Sequence, residues 1–459
     1  MRTIRIGSGA GYGGDRIEPG IDLIDRGELD YIIFECLAER TISIAQMRRQ
    51  TDPTKGYNDL FEYRFERILD ALARQQAAGK KITRVITNMG AANPRSAACV
   101  CQEMARSKGI RGLKIAAVTG DDISQQINRY MECTAIETAA PLSQIDGQII
   151  SANGYIGCKG IVDALAAGAD IVITGRVADP SLALGPLVHE FGWSWENYDL
   201  LGRGTWVGHL LECAGQVTGG YFADPGYKDV PELWNLGFPI IEVDEDGNGV
   251  VTKLPGTGGV VSEDTVKEQT LYEIQDPANY FTPDVIADFS RVHVEQAGEN
   301  RVAIYGAAGK APNGFNKTSV GYHDCFIGVG EISYGGQTAL AKAELAREVL
   351  ERRFEMIGLA AEEFRFDYLG VNSLYGNTIG DKMRSATHAA TPCEVRLRVA
   401  ARVKTCEAAE QVGNEVEALY TNGPSGGGGA SKSVRNIVSI ASILVPAEDF
   451  TINVEHLEV

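Results

Sequence analysis

The sequence is poor in histidine, has no CxxC pair and contains no long apolar run. Its six histidines include no HExxH or HxH spacing, so the common zinc-hydrolase patterns are excluded. Nine cysteines are scattered over 459 residues without one CxxC pair. That excludes a small disulfide scaffold and reads as reduced thiols in a reducing compartment. No stretch approaches the ~20 consecutive apolar residues of a membrane span. The opening RTIRIGSGAG reads as a strand and turn rather than a signal peptide, so the expected location is the cytoplasm. Basic residues are also short, with 43 Lys and Arg against 61 Asp and Glu, a net charge of −18. This deficit argues against nucleic acid or an anionic membrane as the main partner. A phosphorylated small molecule stays open, because backbone amides can cradle an anion on an acidic protein.

What is present describes a large globular chain. Apolar residues make up 44% and charged residues 23%, both close to soluble averages, which excludes disorder and fibrous classes. At ~100–200 residues per domain, the length suggests two or three domains. Short Ile- and Val-rich runs at 3–7, 30–35, 81–88, 112–118 and 169–174 alternate with helix-like stretches. The clearest of these, 57–78, carries an apolar stripe near helical period. The pattern predicts α/β: residues 1–218 as a Rossmann-like, doubly wound, mostly parallel sheet. Near Gly219 the style changes, with hairpin turns at DEDGNG and AGEN and later a helix over 338–356. Residues 219–459 are therefore expected as an α+β domain ending in a Gly-rich loop.

Several segments place reactive residue types just after strands, where open α/β sheets keep their sites. IRIGSGAGYGGDR runs a strand into a glycine loop, and Gly9, Gly11 and Gly14 fit GxGxxG. Together with Gly13 they could bring backbone N–H groups to an anion. Asp15 and Glu18 put negative charge where a pyrophosphate would lie, so NAD is disfavoured and a substrate loop is preferred. Glu35 ends the second strand, and Glu39 follows four residues later, a spacing suited to acid/base work or to a surface pair with Arg40. Asn88 and Asn93 flank the third strand-to-helix loop, either orienting a substrate or capping a turn. Arg176 and Asp179 follow the fifth strand. The Arg suits a carboxylate, and the Asp suits a general base or a helix cap. His209 and Glu212 are one helical turn apart and could act as an acid/base couple. With no further His beside them, they call for no metal and leave a divalent ion open. The late GPSGGGG, with Gly426, Gly427 and Gly428, reads as a linker or an anion-binding loop.

In this order, IRIGSGAGYGGDR, ELDYIIFECLAERT, TNMGAANP, GADIVITGRVADPSLALGP, HLLECAGQVTGGYF, VKEQTLYEIQDP and GPSGGGG resemble the acyclic terpene utilisation (AtuA-like) family from Ile4 to about Gly429. Glu35 and Cys36 stand where many members carry Asp-Tyr, and Met89 with two alanines replaces the usual glycines of the third loop. The resemblance implies catabolism of citronellol- or geraniol-like compounds as acyl-CoA thioesters. It points to a lyase making a retro-aldol cut in a branched hydroxy-acyl-CoA of the 3-hydroxy-3-alkylglutaryl type, or in a branched hydroxy acid, with release of acetate or acetyl-CoA. A hydratase or hydrolase on the same thioesters is the alternative, as is a non-catalytic partner subunit of an acyl-CoA enzyme. Longer members carry a C-terminal ferredoxin-like module, expected here as a separate subunit. A homo-oligomer is the default expectation.

Overall fold

The computed structural model describes residues 2–387 and 392–459. The chain is a mixed α/β protein. The elements begin β1 (Thr3–Ala10), α1 (Glu18–Arg26), β2 (Tyr31–Phe34), α2 (Glu39–Thr51), α3 (Phe61–Ala77), β3 (Arg84–Thr87), α4 (Pro94–Ser107) and β4 (Lys114–Thr119). Then come β5 (Ile149–Gly154), α5 (Lys159–Ala166), β6 (Ile171–Thr174), α6 (Ser181–Phe191) and α7 (Tyr198–Glu212). β1, β2, β3, β6 and β4 lie side by side in parallel, in that order. Every residue of β2 (YIIF) and β6 (IVIT) is buried, the signature of strands covered on both faces. Phe61, Phe65, Ile68 and Leu72 of α3 form the apolar stripe that the sequence shows, and they enter the same core.

The change of style near Gly219 marks a change of pairing within this sheet. β7 (Pro239–Asp244) adds antiparallel to β1, and β8 (Gly249–Lys253) closes the hairpin around DEDGNG. Next are α8 (Glu263–Leu271), β9 (Tyr280–Phe281), β10 (Ile286–Asp288), β11 (His293–Gly298), β12 (Arg301–Tyr305), β13 (Ala308–Lys310) and β14 (Phe315–Gly335). The second hairpin, β11 with β12, extends the sheet beyond β8. The chain ends with α9 (Ala339–Met356), β15 (Glu363–Leu369), α10 (Gly376–Thr387), β16 (Glu394–Val403), α11 (Cys406–Asn422), β17 (Gly428–Pro446) and β18 (Asn453–Glu458). β18 returns to pair antiparallel with β4, so the large sheet has ten strands.

Two compact units follow from the contacts. The larger comprises Met1–Ile145, Ile149–Gly321 and Ile440–Val459. The smaller comprises Asp146–Gln148 and Tyr322–Ser439, and within it β16 pairs with β14 and β15. β16 alternates buried Val395, Leu397, Val399 and Ala401 with polar neighbours, as a sheet with one covered face requires. Ala343 and Leu350 of α9 and Val412 and Val416 of α11 belong to the core on that face.

Candidate active site

The carboxyl ends of β1, β2, β5 and β6 all reach one cavity of about 630 Å³ in the larger unit. After β1 it is lined by Gly11, Tyr12, Gly13 and Asp15, and after β2 by Glu35–Glu39 and Thr41. Tyr155 follows β5, Asp179 follows β6, and Glu212 and Cys213 end α7. Leu236, Phe238, Tyr221, Tyr272 and Glu273 contribute to the remaining wall. Tyr221 and Glu273 hold left-handed backbone, at φ 62° and 59°, and so does Ala214 beside Cys213, at φ 42°. Such strain costs about 1–3 kcal/mol at each non-glycine residue and gathers where function demands a fixed backbone.

Glu35 stands where the apolar run of β2 stops, and it is buried. Its Oε1 accepts hydrogen bonds from Leu37 N–H (2.8 Å) and Asn88 Nδ2 (2.9 Å). Asn88, fully buried, also accepts from Cys36 N–H at 2.8 Å, so one side chain fixes the strand end and aims the acid. Burial, reinforced by the nearby Asp179 carboxylate, pushes the Glu35 proton affinity well above the usual carboxylate range, despite opposition from Arg176 and these bonds. Glu35 therefore holds its proton more tightly than an ordinary carboxyl does.

Arg176 is fully enclosed behind the cavity wall. It donates from Nε to Val177 O (2.9 Å), from Nη1 to Leu37 O (2.6 Å) and from Nη2 to Asp179. Its guanidinium also lies 4.4 Å from the centre of the Tyr155 ring, a cation–π contact. Behind it, Asp121 accepts from the Arg176 backbone N–H (3.0 Å) and from Asn153 Nδ2 (2.8 Å), and burial raises Asp121 to about 6. Asp179 keeps 32% of its side-chain surface open, yet protein surrounds its carboxylate. That enclosure, with help from Glu212 and Glu39 and against Arg176, raises it to about 7. Glu39 moves the other way. Burial works against its charge, but bonds from Tyr155 Oη (2.7 Å) and Lys317 Nζ (3.1 Å) hold it down to about 2. On one wall, two carboxyls are thus raised and a third is lowered, the pattern expected of an acid and a base working side by side.

His209 and Glu212 do form a couple, with Nδ1 and Oε1 2.6 Å apart. The imidazole is buried beside Tyr280 and Phe289, at ring distances of 5.4 and 5.9 Å. Burial disfavours its charge, but Glu212 and the facing backbone of Gln269 and Thr270 outweigh that and raise its proton affinity. Only Glu212 of the pair lines the cavity. The second oxygen of Glu212 is buried without a hydrogen-bond partner. Cys213 is no thiolate, because burial pushes its thiol well up. Among the described residues, no group of three or more His, Cys, Asp and Glu is arranged to hold a metal ion.

The remaining candidates are placed as follows. Gly9 lies inside β1, where a Cβ would stand 2.3 Å from the Phe34 ring of the neighbouring strand β2, so that side chain leaves room only for glycine. At Gly11 a Cβ would stand 2.4 Å from the backbone of Cys213, and its N–H donates to Asp15 Oδ2 at 2.9 Å. The Gly13 carbonyl accepts from the buried Arg64 at 3.3 Å, while a Cβ at Gly14 would first meet the Tyr12 ring, at 2.8 Å. Asn93 caps α4, accepting from Ser96 N–H and donating to the Pro53 and Lys55 carbonyls, and it lies outside this cavity. Gly426, Gly427 and Gly428 belong to the smaller unit, where Gly427 faces Ile332 and Tyr334 and Gly428 opens β17.

A sequence model of the acyclic terpene utilisation family, AtuA, matches residues 4–456. The chain belongs to this AtuA family. The role of the family is acyclic terpene utilisation. No curated protein and no solved structure matches the chain.

In this AtuA-family chain, Tyr155, Lys317, Asp121 and the cavity residues Tyr12, Tyr221, Tyr272 and Glu273 were not singled out from the sequence. The signal for Tyr155 was weak, because the strand it follows, Ile149–Gly154, reads IISANG and mixes apolar with polar residues. Lys317 meets it only through tertiary pairing, with Tyr155 N–H donating to the Lys317 carbonyl at 2.8 Å.

Proposed function

We propose that the chain cleaves the Cα–Cβ bond of a branched β-hydroxyacyl-CoA thioester in a retro-aldol step. Asp179, with a proton affinity near working pH, takes the hydroxyl proton. The carbon–carbon bond breaks, the hydroxyl carbon becomes a ketone and the thioester half departs as an enolate. Protonated Glu35 stands at the enolate oxygen and returns a proton to the α-carbon, leaving ketone and acetyl thioester in balance. Glu212, steadied by His209, and Glu39, steadied by Tyr155 and Lys317, fix the polar side of the pocket. Arg176 keeps Asp179 in place from behind.

The observation that carries this reading is the gathering of Glu35, Asp179 and Glu39 on one cavity wall, where burial favours the protons of the first two and the Tyr155 and Lys317 bonds keep the third ionised. The elevated Cys213 thiol weighs against a covalent cysteine hydrolase. Mass spectrometry of products from a panel of branched acyl-CoAs, with and without a β-hydroxyl, tests it. A shortened ketone plus acetyl-CoA is expected. An intact acyl chain that has gained or lost water would transfer the same acid and base to a hydratase. Free CoA with the acyl chain intact would point to a hydrolase, and no reaction at all to a partner subunit.

A further inference from the structure

We propose that the acyl part accepted by this cavity carries no free carboxylate. The inference rests on the thioester reading above and narrows its substrate class. Six carboxyl side chains line the cavity, Asp15, Glu35, Glu39, Asp179, Glu212 and Glu273, and among the described residues no Lys, Arg or His lines it.

The cations that offset these acids stand behind the wall and are already engaged. Arg176 directs its side-chain donors to Val177, Leu37 and Asp179. Lys317 Nζ bonds Glu39 at 3.1 Å, and His209 Nδ1 bonds Glu212 at 2.6 Å. An entering carboxylate would lose water, meet the ionised Glu39 and find no cationic donor. A hydroxyl meets the opposite situation, because it donates and the wall is rich in acceptors. A thioester carbonyl is neutral and loses little on entry. A desolvated carboxylate left without a partner weakens binding by about tenfold or more.

The test uses N-acetylcysteamine thioesters, which carry no phosphate. Three probes are titrated calorimetrically into the full chain: the neutral β-hydroxy-β-methylbutyryl thioester, the β-hydroxy-β-methylglutaryl thioester with its free carboxylate, and the methyl ester of the latter. The neutral probe and the methyl ester are expected to bind about tenfold or more tightly than the free acid. Glu39→Gln releases Lys317 and should narrow the gap by strengthening the free acid alone. A free acid that binds as well as its methyl ester overturns the charge rule and leaves the thioester reading standing. Failure of all three to bind overturns both.

Discussion

Asp179→Asn should make the protein more stable and inactive at once. Asp179 rises from 3.8 to about 7 in the fold. At about 1.4 kcal/mol per tenfold change in proton affinity, the ionised carboxylate would cost the fold about 4 kcal/mol. With 32% of the side chain open to cavity water, screening reduces this to about 1–3 kcal/mol. The sign follows from the raised affinity. Between pH 3.8 and about 7 the folded chain keeps a proton that the unfolded chain has released, so stability falls as pH rises through that window. Asparagine mimics the protonated acid at every pH. Its advantage is absent below the window, opens across it and is constant above. Arg176 keeps its bonds to Leu37 and Val177 in the variant. Urea unfolding of both chains at the two ends of the window measures the difference. A variant that is less stable than wild type above the window, or a difference independent of pH, would refute the assignment of an enclosed, proton-hungry carboxylate.

His209→Ala leaves Glu212 without its partner and opens a void between Tyr280 and Phe289. It should cost about 3–5 kcal/mol in urea unfolding, against less than 1 kcal/mol for an exposed ion pair such as Lys159–Asp163. Gly11→Ala places a methyl group 2.4 Å from the Cys213 backbone and should cost about 1–3 kcal/mol and reduce turnover. Gly14→Ala meets only the exposed Tyr12 ring and should change the unfolding free energy by less than about 0.5 kcal/mol.

The parallel strands were legible because burial on both faces leaves continuous Ile and Val runs, as in Tyr31–Phe34 and Ile171–Thr174. The hairpins were legible from their turns. β14 and the first half of β17 were not. Their residues mix glycine, charge and apolar side chains, and their partners are remote in sequence, so no local period announces a strand. Glu35 and Asp179 were legible as strand-end residues and Glu212 from its helical spacing to His209, and the structure brings the three to one cavity. Their division of proton affinity was not legible. It depends on burial and on Arg176, Tyr155 and Lys317, which come from three separate segments. The glycine loop shows the limit of motif reading. Gly9 and Gly11 satisfy a nucleotide fingerprint by count, yet each is also demanded by a neighbour, the Phe34 ring and the Cys213 backbone, that no fingerprint mentions.

The central claim is that Glu35 and Asp179 keep their protons to unusually high pH while Glu39 does not. Infrared titration of the carboxyl stretch, with Glu35→Gln, Asp179→Asn and Glu39→Gln chains subtracted from wild type, measures this without any substrate. The account predicts a protonated band for Glu35 that persists well above the ordinary carboxylate range, one for Asp179 that disappears near pH 7, and none for Glu39 above pH 4. Loss of all three bands in the ordinary carboxylate range would contradict it.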